Sequence, residues 1–492
     1  MVDAWQVGPA DNVATMLRDV AGGDAVALGT RSIIADGDIA RGHKIALKPI
    51  DGGQPIIKFG FPIGVARHAI ALGAHVHVDN VATALTGTVE YAHVAAPPRA
   101  AACADDLQFQ GYVRADGRVG TRNEIWILPT VGCVARTAQR IAGRAHARHV
   151  GTVDGVHAFA HPFGCSQLGD DLAGTRRILA ALACHPNAGG VLIIGLGCES
   201  NQLAALLAEV PEARRGAIRT MIAQSSPDEM AEGEALVDEL VAQAAQPRVA
   251  VGLDKLALGV KCGGSDGFSG LTANPLVGRM SDRIAGAGGT VILTEIPEIF
   301  GAEQVLMARA ASRAVFDRIG AMVNDFIRYF LSHGEPVSEN PSPGNIAGGI
   351  TTLEEKSLGA VQKGGNAPVV DAIGYGAQAT LPGLTLLEAP GNDAVSTTAL
   401  AAAGATLILF TTGRGTPLGA PVPTLKIASN SALAAAKPGW IDFDAGAALD
   451  DGMEPSADAL LARIIAIASG AETAAERNEE REMAIWKRGV TL

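Results

Sequence analysis

Three histidines near the start of the chain have the type and spacing of metal ligands. His75 and His77 are two residues apart in a strand-like segment, so their side chains point to the same face. His43 begins another strand-like segment of the same region. Imidazoles grouped on one face suit Fe²⁺, Mn²⁺ or Zn²⁺, and Glu90 or Asn80 could add an oxygen ligand. Metal-free surface histidines explain the same spacing equally well.

A second set of candidates consists of cysteines that stand beside glycine at expected loop positions. Cys198 and Cys262 directly follow apolar strand-like runs, and ligands of open α/β sheets gather beyond the carboxyl ends of strands. Three or four thiolates that meet there could hold an iron–sulfur cluster. The spacing is not that of a compact ferredoxin motif, and buried cysteine is also a common small core residue. The four candidates are Cys133, Cys165, Cys198 and Cys262.

Polar, glycine-rich turns form a third set. A sugar acid needs a cation and N–H groups for its carboxylate, and amides and acids for its hydroxyls. Any one turn could be an ordinary helix cap, but five of them in one chain favour a binding site. The side chains they offer include Asn201, Lys261, Ser265, Asp266, Glu295, Glu298, Asn392, Asp393 and Arg414.

Several function classes lack support in the sequence. We find no phosphate-binding GxxxxGK[ST] loop, no dinucleotide fingerprint and no GxSxG nucleophile elbow. The net charge of −12 and the lack of a basic stripe argue against nucleic-acid binding. No charge-free apolar run reaches about 18 residues, so we expect no membrane span. The first residues do not resemble a secretory signal, so a cytoplasmic protein is expected.

The 492 residues divide into four predicted segments. Residues 1–95 read as a small β-rich module, 96–108 as a linker, 109–248 as an α/β domain and 249–492 as a C-terminal α/β domain. Apolar runs such as GVLIIGLG and ATLILFTTG do not alternate with polar residues, which predicts mostly parallel sheets covered on both faces. Helices are predicted from Asp11 to Gly22, from Pro62 to Leu72, over about 303–332 and, exposed, over 471–489.

Several long motifs stand out in the chain: GHKIALKPI, PIIKFGFPIGVA and GAHVHVDN in the first module, and GYVRADGRVGTRNEIWILPTVGCV, HPFGCSQLGDD, GLGCESNQ, KCGGSDGFSGLTANPLVGR, NPSPGNIAGGITTLEEKSLGA and APGNDAVSTTALAAAGATLILFTTGRGTP after it. These motifs resemble the altronate/galactarate dehydratase family. The start of the chain resembles the SAF domain, a β-clip-like module that precedes the α/β domains in full-length altronate dehydratases. The resemblance implies loss of water from an aldonic or aldaric acid with Fe²⁺ or Mn²⁺, and it strengthens His43, His75 and His77 as metal ligands.

The expected chemistry is a β-elimination. A base removes the proton at C2, a positive group stabilises the enediolate, and an acid protonates the departing C3 hydroxyl. We assign the base to Lys261 or Glu295 and the substrate carboxylate to Arg414, whose guanidinium fork can bind both oxygens. Contacts with the substrate hydroxyls are assigned to Asn201, Ser265, Asp266 and Asn392.

Alternatives remain open at this point. D-Altronate is the expected substrate, with 2-dehydro-3-deoxy-D-gluconate as product; galactarate, or a sulfolactate that loses sulfite, would suit the same fold. An iron–sulfur dehydratase that uses the four cysteines is a second reading, and a non-catalytic sugar-acid binding protein is a third. A homo-oligomer is also open. The histidines lie in the first module and the polar turns in the later domains. If they form one active site, the first module must dock over the polar turns of its own chain or of a neighbouring subunit.

Overall fold

The computed structural model describes residues 2–85, 87–92 and 107–492. The N-terminal module consists of short antiparallel strands in sheets of order β1-β2-β5-β8, β3-β4 and β6-β7-β9. This confirms the β-rich first module. The strands are β1 Ala4–Trp5, β2 Val13–Met16, β3 Ala25–Leu28, β4 Arg31–Ile34, β5 Lys44–Ala46, β6 Pro55–Lys58, β7 Phe61–Ala66, β8 His75–Val76 and β9 Val81–Ala82.

The two helices predicted in this module are wrong. The first prediction covers β2, and the second covers β7, which pairs with β6. Asp11 does not begin a helix, because its carboxylate accepts N–H bonds from Gly8, Phe59 and Gly60 and so joins two turns. All four residues of β2 are buried, and a short apolar run of this kind fits a strand as well as a helix.

The second domain contains a four-stranded parallel sheet of order β13-β12-β14-β15. A separate antiparallel sheet of order β11-β10-β16 connects it to the C-terminal domain. The elements are β10 Gln108–Val113, β11 Val119–Gly120, β12 Glu124–Pro129, α1 Ala135–Arg148, β13 Gly155–Ala158, α2 Gly169–Ala183, β14 Ala188–Gly195, α3 Leu203–Ala208, α4 Glu212–Arg215, β15 Ile218–Ile222, α5 Glu229–Ala244 and β16 Val249–Gly252.

The C-terminal domain contains a seven-stranded sheet of order β19-β20-β18-β17-β21-β22-β23, and every strand pair in it is parallel. The predicted parallel sheets are thereby confirmed. The strands are β17 Ala257–Cys262, β18 Thr290–Leu293, β19 Val369–Ile373, β20 Gly383–Leu387, β21 Leu407–Thr412, β22 Thr424–Ala428 and β23 Phe443–Asp444. The helices are α6 Ala273–Gly286, α7 Glu303–Met307, α8 Arg313–Ser332, α9 Pro343–Ala347, α10 Leu353–Ala360, α11 Asp393–Ala402, α12 Ser431–Ala436, α13 Ala448–Asp451, α14 Met453–Ala468 and α15 Ala474–Arg477.

Two helix predictions near the C-terminus need correction. The helix expected over 303–332 is interrupted between α7 and α8. The final segment is not an exposed helix, since only α15 is helical there and Ile485 and Trp486 are buried. Residues 96–106 of the predicted linker lie outside the described residues, and the three boundaries between the four predicted segments stay predictions.

The two parallel sheets point in the same direction. Thr121 and Asn187, just before β12 and β14, both donate to the carbonyl of Thr406, just before β21, at 2.8 and 3.0 Å. Helices α2 and α11 pack against each other within a core shared by both sheets. Because each helix runs back from a carboxyl edge, the carboxyl edges of both sheets face the same side of the molecule.

The N-terminal module docks on the C-terminal domain through a buried carboxylate. Glu355 in α10 accepts from the ammonium groups of Lys44 and Lys58, each at 2.8 Å, and all three side chains are at most 3% exposed. The backbone N–H and hydroxyl of Thr351 also donate to Glu355 at 2.8 Å. The three charges hold β5, β6 and α10 together within one chain.

Replacing Glu355 with alanine should destabilise the protein by about 3–5 kcal/mol, because two buried ammonium groups lose their counter-ion. Urea unfolding measures this loss as a lower midpoint. The exposed Glu335→Ala serves as control and should leave the midpoint unchanged. The triple change Lys44→Met, Lys58→Met and Glu355→Leu should recover much of the loss; an unchanged midpoint in Glu355→Ala contradicts the docking role.

Candidate active site

A cavity of about 490 Å³ lies at the carboxyl edge of the seven-stranded sheet. Turns that follow three adjacent strands, β17, β18 and β20, form one side of it, and α8, α9 and α10 contribute the rest. Its polar lining suits a small hydroxylated anion. The lining residues are Gly263, Gly264, Pro297, Glu298, Phe326, Tyr329, Phe330, Asn340, Ser342, Asn345, Lys356, Pro390, Gly391, Asn392 and Asp393.

Two ion pairs face this cavity. Lys356 donates to Glu298 at 2.8 Å, and both side chains are at most 8% exposed. Lys261 donates to Asp393 at 2.5 Å and lies 3.0 Å from Glu295. Only Glu298, Lys356 and Asp393 of these residues line the cavity, whereas Lys261 and Glu295 lie beneath it.

A thiol and a third lysine complete the buried layer beneath the cavity. Cys262 accepts from the ammonium group of Lys363 at 2.9 Å and contacts Glu298 at 3.3 Å. Burial raises the pKa of the Cys262 thiol to about 12, so it stays protonated at neutral pH. Glu295 accepts from the backbone N–H of Cys262 and has a left-handed φ of 71°, a conformation that costs energy and is often found at functional sites.

The protonation of these pairs follows from burial and neighbouring charges. Burial alone would lower the pKa of Lys261, but Glu295 and Asp393 outweigh it and raise the pKa. Burial opposes the charged form of Glu298, yet Lys356 and Lys363 hold its pKa below the ordinary value. Glu298 is therefore a carboxylate at neutral pH and Lys261 an ammonium ion.

The buried layer is better suited to proton handling than to metal binding. The ligand atoms of Cys262, Glu295 and Glu298 lie within 4.8 Å of one another, as metal ligands would. Three lysines, however, already balance the carboxylates of this layer, and a divalent ion would add positive charge beside them. The protonated thiol is also a poor ligand.

The structure changes the roles open to the predicted catalytic residues. Lys261 carries a proton too firmly to act as a base and, like Glu295, does not reach the cavity. Arg414 follows β21 and is exposed, and a Cβ added to Gly264 would lie 3.3 Å from its Cβ. Its backbone N–H donates to the carbonyl of the cavity residue Gly264 at 3.0 Å, which places Arg414 beside the cavity rim, and no ion pair of its guanidinium is found within the described chain.

The four residues predicted to contact substrate hydroxyls divide between the cavity and other places. Asn392 lines the cavity and caps α11. Ser265 lies next to the module interface, and the carboxylate of Asp266 is occupied by Ser269, Ser429 and Asn430. Asn201 is fully buried in the second domain and is not brought to the cavity.

Lys356 is the important residue that sequence reasoning missed. It lies in α10, whose Glu-Glu-Lys sequence after a capping Thr352 looks like a solvent-exposed helix start. Every residue of α10 is buried instead. The sequence feature that could have identified Lys356 is its place in the NPSPGNIAGGITTLEEKSLGA motif. Residue spacing alone does not show that this motif contributes to the site.

The three histidines of the N-terminal module do meet. Nδ1 of His43 lies 3.0 Å from Nε2 of His75, and one ring nitrogen of each of the three histidines lies within 4.8 Å of the others. Nδ1 of His77 is buried and has no hydrogen-bond partner among the residues that the structure describes. Burial lowers the pKa of all three, to about 4 for His75 and His77, so the rings are neutral and can donate lone pairs.

The histidines lie close to the cavity in the same chain. Nε2 of His43 is 3.4 Å from the carbonyl of Ala347, which ends α9. Ser342 and Asn345, at the start of α9, line the cavity. The five-residue helix α9 is about 8 Å long, so the carbonyl that His43 contacts lies about one helix length from the cavity residue Ser342.

The four predicted cluster cysteines do not form one group. Cys133, Cys165 and Cys198 are exposed and follow β12, β13 and β14 at the carboxyl edge of the four-stranded sheet. Cys262 is buried in the other sheet between Lys363 and Glu298. Cys262 therefore follows a strand of a different sheet from the other three cysteines, which follow neighbouring strands of the four-stranded sheet.

The described residues contain no helix long and apolar enough to cross a membrane.

The chain matches the altronate/galactarate dehydratase SAF domain over residues 3–84 and the second domain of D-galactarate dehydratase/altronate hydrolase over 111–245. It matches the C-terminal domain of D-galactarate/altronate dehydratase over 253–491.

Among curated proteins, the chain is 49% identical to an altronate dehydratase of Escherichia coli (strain K12), with 98% of each chain covered. An altronate dehydratase of Bacillus subtilis (strain 168) is 47% identical, also with 98% of each chain covered. The galactarate dehydratase (L-threo-forming) of Escherichia coli (strain K12) is 32% identical over 90% of this chain and 87% of its own. The chain belongs to the D-galactarate/altronate dehydratase family.

Proposed function

We propose that the protein removes water from D-altronate to give 2-dehydro-3-deoxy-D-gluconate. The observation that carries the choice of substrate is the near-full-length identity of 49% and 47% to two altronate dehydratases, against 32% to the galactarate dehydratase. The cavity supports the reaction type, since it holds a carboxylate and an ammonium ion 2.8 Å apart.

Glu298 is the proposed base. Its carboxylate lines the cavity and takes the proton from C2 of the substrate, which is acidic because it is next to the carboxylate. The ammonium group of Lys356 stabilises the negative oxygens of the enediolate. Glu298 then returns the proton to the departing C3 hydroxyl, which leaves as water, and the resulting enol tautomerises to the 2-keto acid.

The groups beneath the cavity position this pair. The thiol of Cys262 and the ammonium of Lys363 hold Glu298 from below. Lys261 holds Asp393, which lines the opposite part of the cavity beside Asn392 and can accept bonds from substrate hydroxyls. Arg414 at the rim is the proposed partner of the substrate carboxylate.

His43, His75 and His77 are the proposed ligands of Fe²⁺ or Mn²⁺. The unpartnered Nδ1 of His77 and the three neutral, closely spaced rings fit a divalent ion. A bound ion would supply positive charge for substrate oxygens near α9. His43 would link the metal site to the docking of the N-terminal module on the C-terminal domain, because its ring also contacts the carbonyl of Ala347.

Replacing Arg414 with alanine should raise KM at least about tenfold, because a guanidinium–carboxylate pair contributes roughly 1.5–3 kcal/mol. The KM of Arg414→Lys should lie between those of Arg414→Ala and the wild type, since lysine keeps the positive charge but cannot bind both carboxylate oxygens as the guanidinium does. Arg313→Ala, an exposed arginine of α8, is the control. Initial rates against altronate concentration measure the effect, and an unchanged KM removes Arg414 from the site.

The substrate is tested by an anaerobic assay with Fe²⁺ that offers D-altronate and galactarate separately and detects the 2-keto product. We expect turnover of altronate and little or none of galactarate. Preferential turnover of galactarate would contradict the substrate. Thermal stabilisation by altronate without any product would instead indicate a sugar-acid binding protein.

A further inference from the structure

Three exposed cysteines occupy the carboxyl edge of the four-stranded sheet in the second domain. Cys133, Cys165 and Cys198 follow β12, β13 and β14, which are neighbours in the sheet order β13-β12-β14-β15. The chain moves from β12 to one side for β13 and to the other side for β14. Ligands of open α/β sheets bind at such a change of direction.

The loops that carry these cysteines contact one another next to the thiols. Gly132 donates to the carbonyl of Phe163 at 2.9 Å, which places the Cys133 turn against the loop of Cys165. Asn201 donates to the carbonyl of Gly164 at 2.8 Å, which places the turn after Cys198 against the same loop.

Buried polar side chains fix the loops from below. Glu199, 3% exposed, accepts from the hydroxyl of Thr130 at 2.5 Å and from the backbone N–H of Gly197 at 2.6 Å. Asn201 donates to the carbonyl of Thr130 at 3.1 Å. These bonds join the turns after β12 and β14 into one rigid support.

A buried glutamine side chain also holds the loop that carries Cys165. Gln167, 4% exposed, accepts from the backbone N–H of Gly164 at 3.0 Å, and within the described part of the chain its buried amide nitrogen has no hydrogen-bond partner. Ser166 between them has a left-handed φ of 57°. Strained backbone and an unpartnered buried polar group next to a thiol point to a ligand site.

The three thiols do not form a compact site for a single ion. Two thiolates on one Zn²⁺ can be at most about 4.6 Å apart, since each Zn–S bond is about 2.3 Å. The described groups of three ligand atoms within 4.8 Å are the histidines and the Cys262 group, and the three exposed cysteines are not among them. Cluster thiolates bind different irons and lie farther apart.

We propose that Cys133, Cys165 and Cys198 bind an iron–sulfur cluster in the second domain. Each thiol loses its proton and binds one iron, so a four-iron cluster keeps one iron without a protein thiolate. An oxygen ligand, such as a hydroxycarboxylate, suits that open position. The cluster would lie on the same side of the molecule as the cavity, because the carboxyl edges of both sheets face that side.

The test is anaerobic reconstitution of the full-length protein with ferrous iron, sulfide and dithiothreitol. We expect about four irons and four acid-labile sulfides per chain, with visible absorption that air bleaches. Cys133→Ala, Cys165→Ala and Cys198→Ala should each lose most of the sulfide, and they should still fold because these side chains are exposed. Cys184→Ala, a buried cysteine of the same domain, is the matched control and should keep it.

Acid-labile sulfide distinguishes this centre from iron on the histidines. His75→Ala should keep the sulfide and the colour, whatever its effect on turnover. The proposal is overturned if the reconstituted wild-type protein contains no labile sulfide, or if all three cysteine variants retain it. Because no activity is measured, failure of the altronate assignment leaves this result intact.

Discussion

Glu298→Gln should lower kcat for dehydration by a factor of about 10²–10⁴, the usual contribution of a positioned general base. The amide is nearly the same size and keeps a contact with Lys356, which pairs with Glu298 at 2.8 Å in the wild type. It cannot take a proton from C2 at neutral pH. Since substrate contacts are retained, KM should change much less than kcat.

Two controls make the result specific. Glu339→Gln removes an exposed carboxylate near the cavity residue Asn340 and should leave kcat unchanged. The circular dichroism spectrum of Glu298→Gln should match that of the wild type, whereas its melting temperature should fall because the buried ammonium group of Lys356 loses its counter-ion, so kcat is measured well below the unfolding transition. A folded Glu298→Gln protein with wild-type kcat would exclude Glu298 as the base and return attention to Asp393, the other carboxylate that lines the cavity.

Lys356→Met tests the partner in the same assay. It leaves Glu298 buried beside Lys363, so the carboxylate loses its nearer cation and its pKa should rise. The pH at which the rate of proton abstraction begins to increase should therefore move upward. A partly unfolded protein would lose activity without this shift in pH dependence, so the shift shows that the effect comes from loss of the Lys356 charge.

The sequence predicts which strands bear the site better than it predicts which side chains reach it. Turns after apolar runs place Gly264, Glu298 and Asn392 at one sheet edge, because strands of a parallel sheet end together. Whether a side chain in such a turn lies above or below the cavity floor depends on tertiary packing. Lys261 and Glu295 are beneath it for this reason.

The cysteines show the same limit at the scale of domains. Cys198 and Cys262 both follow apolar strands, and the sequence cannot tell that the strands belong to different sheets. The two cysteines also differ in burial: Cys198 is exposed, whereas Cys262 is buried between Lys363 and Glu298 and stays a protonated thiol. The small antiparallel module was harder to predict, because its strands of two to six residues contain too little periodicity.

His77→Ala should weaken Mn²⁺ binding by more than about 100-fold, since even loss of a residue that only orients a metal ligand costs 10–100-fold. Three imidazoles within 4.8 Å leave two ligands after the change. Titration with Mn²⁺, followed by the electron paramagnetic resonance of the free ion, measures the dissociation constant without substrate. Turnover should fall in parallel at low Mn²⁺ concentration and recover partly at high concentration.

His68→Ala is the matched control, because His68 is an exposed histidine of the same small module. It should bind Mn²⁺ as the wild type does. Equal weakening in both variants would indicate damage to the module rather than loss of a ligand. Wild-type affinity in His77→Ala would place the reaction metal away from the histidines, and the open iron position proposed for the three-cysteine site would then be the next place to look.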